Sequence, residues 1–199
     1  MSSPAGYFAE SLRLYNQLDR IATLLRSELR DTASRHKLTL AQLQALHYLL
    51  ECNRFSDTPL ALAEFYGTTK GTMSATVSVL EEKGMIEKVG DERDGRVVHC
   101  RLTEAGRALA IQSFPPISLQ RLMIQRVDTS ALRRELDQFT DRLQQKTRLR
   151  SFGTCTSCRF FQPSESGQPP QCSVFDATLN DEDQAGICRE HSPRPAKKR

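Results

Sequence analysis

Two groups of residues have the types and spacing to do chemistry. The first is Cys155, Cys158, Cys172 and Cys188, separated by 2, 13 and 15 residues. Thiolates ligate zinc and iron–sulfur clusters, and a short segment without a core of its own folds readily around such a metal. His191, three residues after Cys188, is a candidate further ligand or neighbour of the ligands, although an exposed tail histidine is the simpler reading. The second group is Thr69, Lys70, Thr72 and Ser74, with Arg93 and Arg96 about twenty residues on. A helix edge of small hydroxyl side chains can approach base edges in a major groove. The N–H groups at its start can meet phosphate. Guanidinium groups on a nearby turn can reach the backbone or a narrow minor groove. Taken singly, a charged turn is only solvated and a Thr/Ser helix start is only a cap, so the order of the surrounding elements decides.

That order is legible. Phe8, Leu12, Tyr15, Leu18, Ala22, Leu25 and Leu29 recur at helical spacing and predict a long first helix from Phe8 to about Leu29. Thr39-Leu40-Ala41-Gln42 fits a capping box and opens a second helix. Thr58-Pro59 opens a third, which stops at Gly67. A fourth starts at Thr68 or Thr69, buries Met73, Val77 and Leu80, and ends at Gly84. Two strands, Met85–Val89 and Val97–Leu102, flank a polar turn, and Thr103 caps a fifth helix that Pro115-Pro116 must interrupt. A last helix carries Leu132, Leu136, Phe139 and Leu143. The expected architecture is mainly α with a small β wing: a winged helix-turn-helix, dimerising through its N- and C-terminal helices, followed by a metal-nucleated segment. The expected divisions are 1–38 for the N-terminal dimerisation helix, 39–103 for the DNA-binding domain and 104–150 for the C-terminal dimerisation helices. Residues 151–192 form the four-cysteine segment, and 193–199 a basic disordered tail.

Composition sets the class. Of 199 residues, 38% are hydrophobic and the net charge is +4, with a mean hydropathy of −0.49. This predicts a globular chain with no membrane partner. Its mild basicity suits DNA without requiring it. The N-terminus shows neither a basic stretch nor an apolar run of the secretory kind, so the expectation is the reducing cytoplasm. There, thiols and metal ligands are expected before disulfides.

The stretch Pro59 to Gly106 resembles the MarR (multiple-antibiotic-resistance regulator) family. The resemblance rests on Asp91-x-Arg93-Asp94-x-Arg96, Leu102-Thr103-x-x-Gly106 and Leu80-Glu81-x-Lys83-Gly84. It implies a homodimer that places two recognition helices on a pseudo-palindromic operator in double-stranded DNA. It also implies that Asp91 and Asp94 shape the wing through pairing with the arginines, one of which enters the minor groove. The break at Pro115-Pro116 departs from the family's long fifth helix. Peroxide-sensing relatives carry a reactive cysteine early in the first helix, and this chain has none there.

The cysteine layout, with Phe160, Phe161 and Phe175 close by, is similar to that of high-potential iron–sulfur proteins. That favours a 4Fe-4S cluster; a structural Zn2+ is the alternative, and redox-labile thiols or disulfides a third reading. Cys52, Cys100, His47 and His99 read as structural; Tyr48 and Phe55 are candidates for the border of a ligand cleft, with core packing the simpler reading. The leading function is a transcriptional regulator whose operator affinity follows redox state or metal supply. In this reading the appendage, attached straight after the dimerisation helix, alters the spacing of the two recognition helices. A second version has a structural zinc and a small-molecule effector. An electron-transfer protein or redox enzyme is the competing class, and the sequence has no glycine-rich phosphate loop, Ser/His/Asp arrangement or HExxH to support an enzyme.

Overall fold

Thr39 opens the central helix α2 (Leu40–Glu51) as its sequence requires. Its hydroxyl accepts the Gln42 N–H at 3.2 Å, while the Gln42 side chain accepts the Thr39 N–H at 3.0 Å. In this computed structural model, which describes residues 4–92, 94–125, 128–147, 149–164 and 168–194, the core is built on that helix. Leu43, Ala45, Leu46 and Tyr48 are fully buried.

Before it runs α1 (Pro4–Arg35), longer at both ends than the expected span from Phe8 to Leu29. Of its expected stripe, Leu29 is buried, with Ala33 beyond it, whereas Phe8, Leu12 and Tyr15 are exposed. The reason is length. At 1.5 Å per residue the 32 residues of α1 extend about 48 Å, against about 18 Å for the 12 of α2, so α2 covers only one end.

Next come α3 (Pro59–Phe65) and α4 (Lys70–Glu82), capped by Thr58 and Thr69. The bends after them use left-handed backbone at Gly67 (φ +63°) and Gly84 (φ +67°), which glycine adopts without steric cost. The Tyr66 hydroxyl donates to the Gln44 carbonyl at 2.8 Å and ties the end of α3 to α2. The antiparallel wing follows, β1 (Ile86–Gly90) and β2 (Val98–Leu102), with Ile86 opposite Leu102 and Gly90 opposite Val98. Each strand starts one residue later than expected because the preceding residue closes a turn: Met85 N–H bonds to Leu80 O, and Val97 N–H to Asp94 O.

Thr103 caps α5 (Glu104–Ser113), which ends before Pro115-Pro116 as the sequence demands. Two further helices, α6 (Ile117–Ile124) and α7 (Ser130–Lys146), bury none of their described residues. Ile117, Leu122, Ile124, Leu132 and Leu143 face outward. Among the described residues no helix is long and apolar enough to cross a membrane.

The cysteine segment has secondary structure that the sequence did not announce. A 3-10 turn (Cys155–Ser157) leads into the small antiparallel sheet β3 (Phe161–Gln162), β4 (Gln171–Cys172) and β5 (Ala177–Thr178). The short α8 (Asp181–Ala185) follows, held by a reciprocal Asn180–Asp183 cap. This segment docks on the loop between α2 and α3. Ile187 N–H donates to Glu51 O at 2.8 Å, and Asn53 N–H to Ile187 O at 3.0 Å. Phe152 meets the rings of Phe65 and Tyr48 at 5.1 and 6.5 Å.

Gly106 explains one motif position. A Cβ there would lie 1.9 Å from the Met85 carbonyl oxygen, so α5 approaches the wing only because this residue has no side chain. Gly106→Ala is expected to destabilise the fold by about 1–3 kcal/mol, the usual range for overpacking. Thermal denaturation checks this, and an unchanged midpoint would show that the close approach is unimportant.

Candidate nucleic-acid interface and cysteine cavity

The α4 start is assembled from its own residues. The Thr69 hydroxyl accepts the Thr72 N–H at 3.1 Å and lies 2.9 Å from the Thr72 hydroxyl. Thr69, Lys70, Gly71 and Thr72 are exposed, and no acidic residue occupies the first turn, so the positive end of the helix dipole faces outward uncompensated. Met73, Val77 and Leu80 anchor the opposite face. Ser74, expected on the reading edge, is half-buried on its flank, one position from the buried Met73. Gly71 and Ala75, which the sequence reading passed over, complete the exposed face; their spacing of four residues was the available signal.

The wing turn is ordered by its carboxylates. Asp91 Oδ1 accepts the Asp94 N–H at 2.7 Å, and Asp94 Oδ1 accepts both the Arg96 N–H and Nε at 3.0 Å. These Arg96 hydrogen bonds hold the Asp94 carboxyl below its ordinary range. Arg96 itself stays 91% exposed, able to contact a polyanion. Arg93 lies outside the described residues.

His99, expected to be merely structural on the outer face of β2, joins the wing to the helical core. Its Nδ1 bonds to Asp57 Oδ1, and its Nε2 lies 3.1 Å from Asp91 Oδ2. Burial pulls the imidazole pKa down, but the hydrogen bond and charge of Asp57, then those of Asp91, outweigh it and hold it above 6.5. The Asp57 backbone carbonyl also accepts the Cys100 N–H at 2.6 Å. Cys100 is buried, as expected for a core residue, and burial pushes its thiol up to about 12.

The four C-terminal cysteines converge. Cys155, Cys158, Cys172 and Cys188 line one cavity whose walls include Phe55, Phe160, Phe161, Phe175 and Leu179. All six cysteines of the chain are free thiols, so the disulfide reading is not realised here. Burial, then the nearby Cys188, Cys172 and Cys158 thiols, push Cys155 up to about 11. Among the described residues, no three His, Cys, Asp or Glu side chains stand close enough to hold a single metal ion. His191 is neither an exposed tail residue nor part of the cavity lining. It is half-buried, with Nδ1 2.6 Å from Ser151 Oγ and Nε2 2.9 Å from Ser157 Oγ, and so braces the turn that carries Cys155 and Cys158.

A second cleft, of about 310 Å³, lies between α1, α2 and the start of α4. Arg26, Gln44, Tyr66 and Thr72 are among its walls. Tyr48 is fully buried, as the core reading expects, whereas Phe55 borders a cavity, that of the cysteines.

The His99 bridge has a pH signature. A histidine whose pKa is raised on folding stabilises fully below its unfolded value, about 6.5, and that contribution disappears as pH rises through the folded value. The difference in melting temperature between wild type and His99→Gln is therefore expected to be widest at and below pH 6.5 and to close above it. A gap that does not vary with pH would mean that the imidazolium plays no part.

The comparisons with known proteins agree with this geometry. No curated protein matches the chain. Among solved structures, the transcriptional regulator BldR from Sulfolobus solfataricus is 23% identical with a TM-score of 0.55, over 68% of this chain and 97% of that one. MepR of S. aureus in its DNA-binding conformation is 20% identical with a TM-score of 0.57, over 67% and 98%. FabT of Streptococcus pneumoniae, solved in complex with DNA, is 22% identical with a TM-score of 0.53, over 71% and 99%. The winged-helix fold is thus shared with all three, and within it residues 36–97 match the MarR family.

Proposed function

We propose that this chain is a MarR-type transcriptional regulator, not an enzyme, that binds a pseudo-palindromic operator in double-stranded DNA as a homodimer in the cytoplasm. One observation carries the reading. The start of α4, exposed and with no acid in its first turn, and the wing turn that exposes Arg96 both belong to the family-matched region. Thr69, Lys70 and Thr72 meet base edges and phosphate, with Ser74 at the margin. Arg96, together with Arg93, grips the strand beside them. Asp91 and Asp94 shape the wing for that contact. The related MepR and FabT structures, described as a DNA-binding conformation and a DNA complex, support the assignment.

A second copy of the chain is the partner for the uncovered apolar residues of α1, α6 and α7. Phe8, Leu12, Tyr15, Ile124 and Leu132 are each at least 48% exposed, more apolar surface than a monomer leaves to water without use. The cleft beside α1 offers room for a small-molecule effector, and its contact with Thr72 and Thr76 of α4 would couple an occupant to the reading helix.

The four cysteines have the donor chemistry of a 4Fe-4S cluster, with Zn2+ as the alternative. Here the four thiols share one cavity with a largely aromatic wall. That arrangement supports a polynuclear cluster with one thiolate for each iron. Bound there, it would supply one-electron redox chemistry. The aromatic wall would exclude water.

Two experiments test the proposal. Arg96→Ala should weaken binding to operator DNA and lower the slope of log affinity against log salt by about 1, measured by fluorescence anisotropy. An unchanged slope would remove the wing from the interface, and no preference for any duplex over random competitor would end the DNA-binding reading. Protein purified without oxygen should absorb in the visible range and lose that absorbance in Cys158→Ser. A colourless wild type with one zinc per chain would replace the cluster with the alternative metal.

A further inference from the structure

The loop from Cys52 to Thr58 is contacted on both sides. On one side stands the cysteine segment. Asn53 and Phe55 line the cysteine cavity together with Cys188. The Ser56 hydroxyl also accepts the Arg189 N–H at 2.9 Å, one residue beyond that cysteine. Phe55 stacks on Phe175 with centroids 4.2 Å apart and planes 9° from parallel. Arg54 donates to the Thr178 carbonyl at 2.8 Å and pairs with Asp183 at 3.3 Å. A Cβ on Gly186 would stand 2.7 Å from Asn53 N, so the two backbones touch with no slack.

On the other side stands the wing. Asp57 holds β2 twice, through its carbonyl to the Cys100 N–H and through its carboxylate to His99, and His99 passes the contact to Asp91. Asp91 orders the turn that carries Asp94 and Arg96. Between the two sides the loop is short and anchored, since Ser56 is fully buried and its carbonyl accepts the Tyr48 hydroxyl at 3.0 Å. Only one peptide bond separates Ser56, which accepts the N–H of the residue after Cys188, from Asp57, which clamps the wing.

We propose that the Asn53–Asp57 segment is a relay through which the state of the four-cysteine cavity sets how firmly the wing is held against the helix-turn-helix. The inference rests on the reading of that cavity as a cofactor site. With the cavity filled, Cys188 is fixed as a ligand, and Asn53, Ser56 and Phe55 have a rigid surface to pack on. When it is empty, Cys188 is released, the contacts of Asn53 and Ser56 loosen, and the Asp57 clamp on β2 loosens with them. The effector signal thus travels within one chain to the wing, through an element with contiguous contacts at both ends. No change in the spacing of two recognition helices is required.

The Cys100 amide reports the relay directly, because its hydrogen is donated to Asp57. Hydrogen exchange at Cys100 is compared in full-length protein reconstituted anaerobically with ferrous iron and sulfide, and in the same protein after chelation. Exchange is expected to be roughly tenfold faster after chelation, reflecting a more frequent local opening. In His99→Gln, which retains its iron, Cys100 should already exchange fast, with at most a small further change on chelation. Gly186→Ala supplies an arm that needs no metal: by pushing Asn53 away it should speed Cys100 exchange in iron-free protein as well. Iron and absorbance present, with Cys100 exchange the same before and after chelation, would overturn the relay and leave the cofactor reading standing. Absence of iron would overturn the cofactor reading, and unaltered exchange in Gly186→Ala would then dispose of the relay independently.

Discussion

The buried hydroxyl of Tyr48, bonded to the Ser56 carbonyl, fixes the piece of backbone on which the rest of the molecule is assembled. Tyr48 is fully buried at the centre of α2, and burial pushes its phenol far above the ordinary range, so the group remains a neutral donor. A buried hydroxyl without an acceptor is costly, and the Ser56 carbonyl meets that need. The consequence is positional. The loop after α2 can only leave the core one way, and α3, the wing and the cysteine segment all take their places from it.

From that loop the molecule extends in two directions. On one side, α3 and α4 present a small polar edge because Met73, Val77 and Leu80 fill the opposite face, and the wing is set beside it by the Asp57–His99–Asp91 bridge. Toward the C-terminus, Arg189 bonds Glu64 on α3 in a bidentate pair, with Nη2 at 3.0 Å, and Arg150 joins the same carboxylate at 3.3 Å. Planar guanidinium groups suit such shared carboxylates. The cysteine segment is therefore bound to the helix-turn-helix half and not suspended from the end of α7. This placement makes a local route from cysteines to wing physically reasonable.

The apolar faces of α1, α6 and α7 have a different logic. Their leucines, isoleucines and aromatics recur at helical spacing, yet in a single chain they meet water. Helical periodicity states only that a face is apolar. Whether it is satisfied inside the chain or by a second copy depends on which elements reach it, and α2 is too short to cover α1.

Local chemistry made much of this protein legible in the sequence. The Thr39–Gln42 box, the caps at Thr58, Thr69 and Thr103, the left-handed glycines at Gly67 and Gly84 and the break at Pro115-Pro116 involve neighbours a few residues apart, so residue type alone settles them. The helix-turn-helix and wing follow from their order. The sequence also groups four cysteines near three phenylalanines, and the fold brings all seven to the lining of one cavity. Tertiary structure alone decided that His99 bridges Asp57 and Asp91, that His191 braces the first cysteine turn, and that Arg189 reaches Glu64 across 125 residues of chain. Those partners are chosen by how the backbone is routed, and an isolated histidine or arginine carries no local signature of the carboxylate that folding will bring to it.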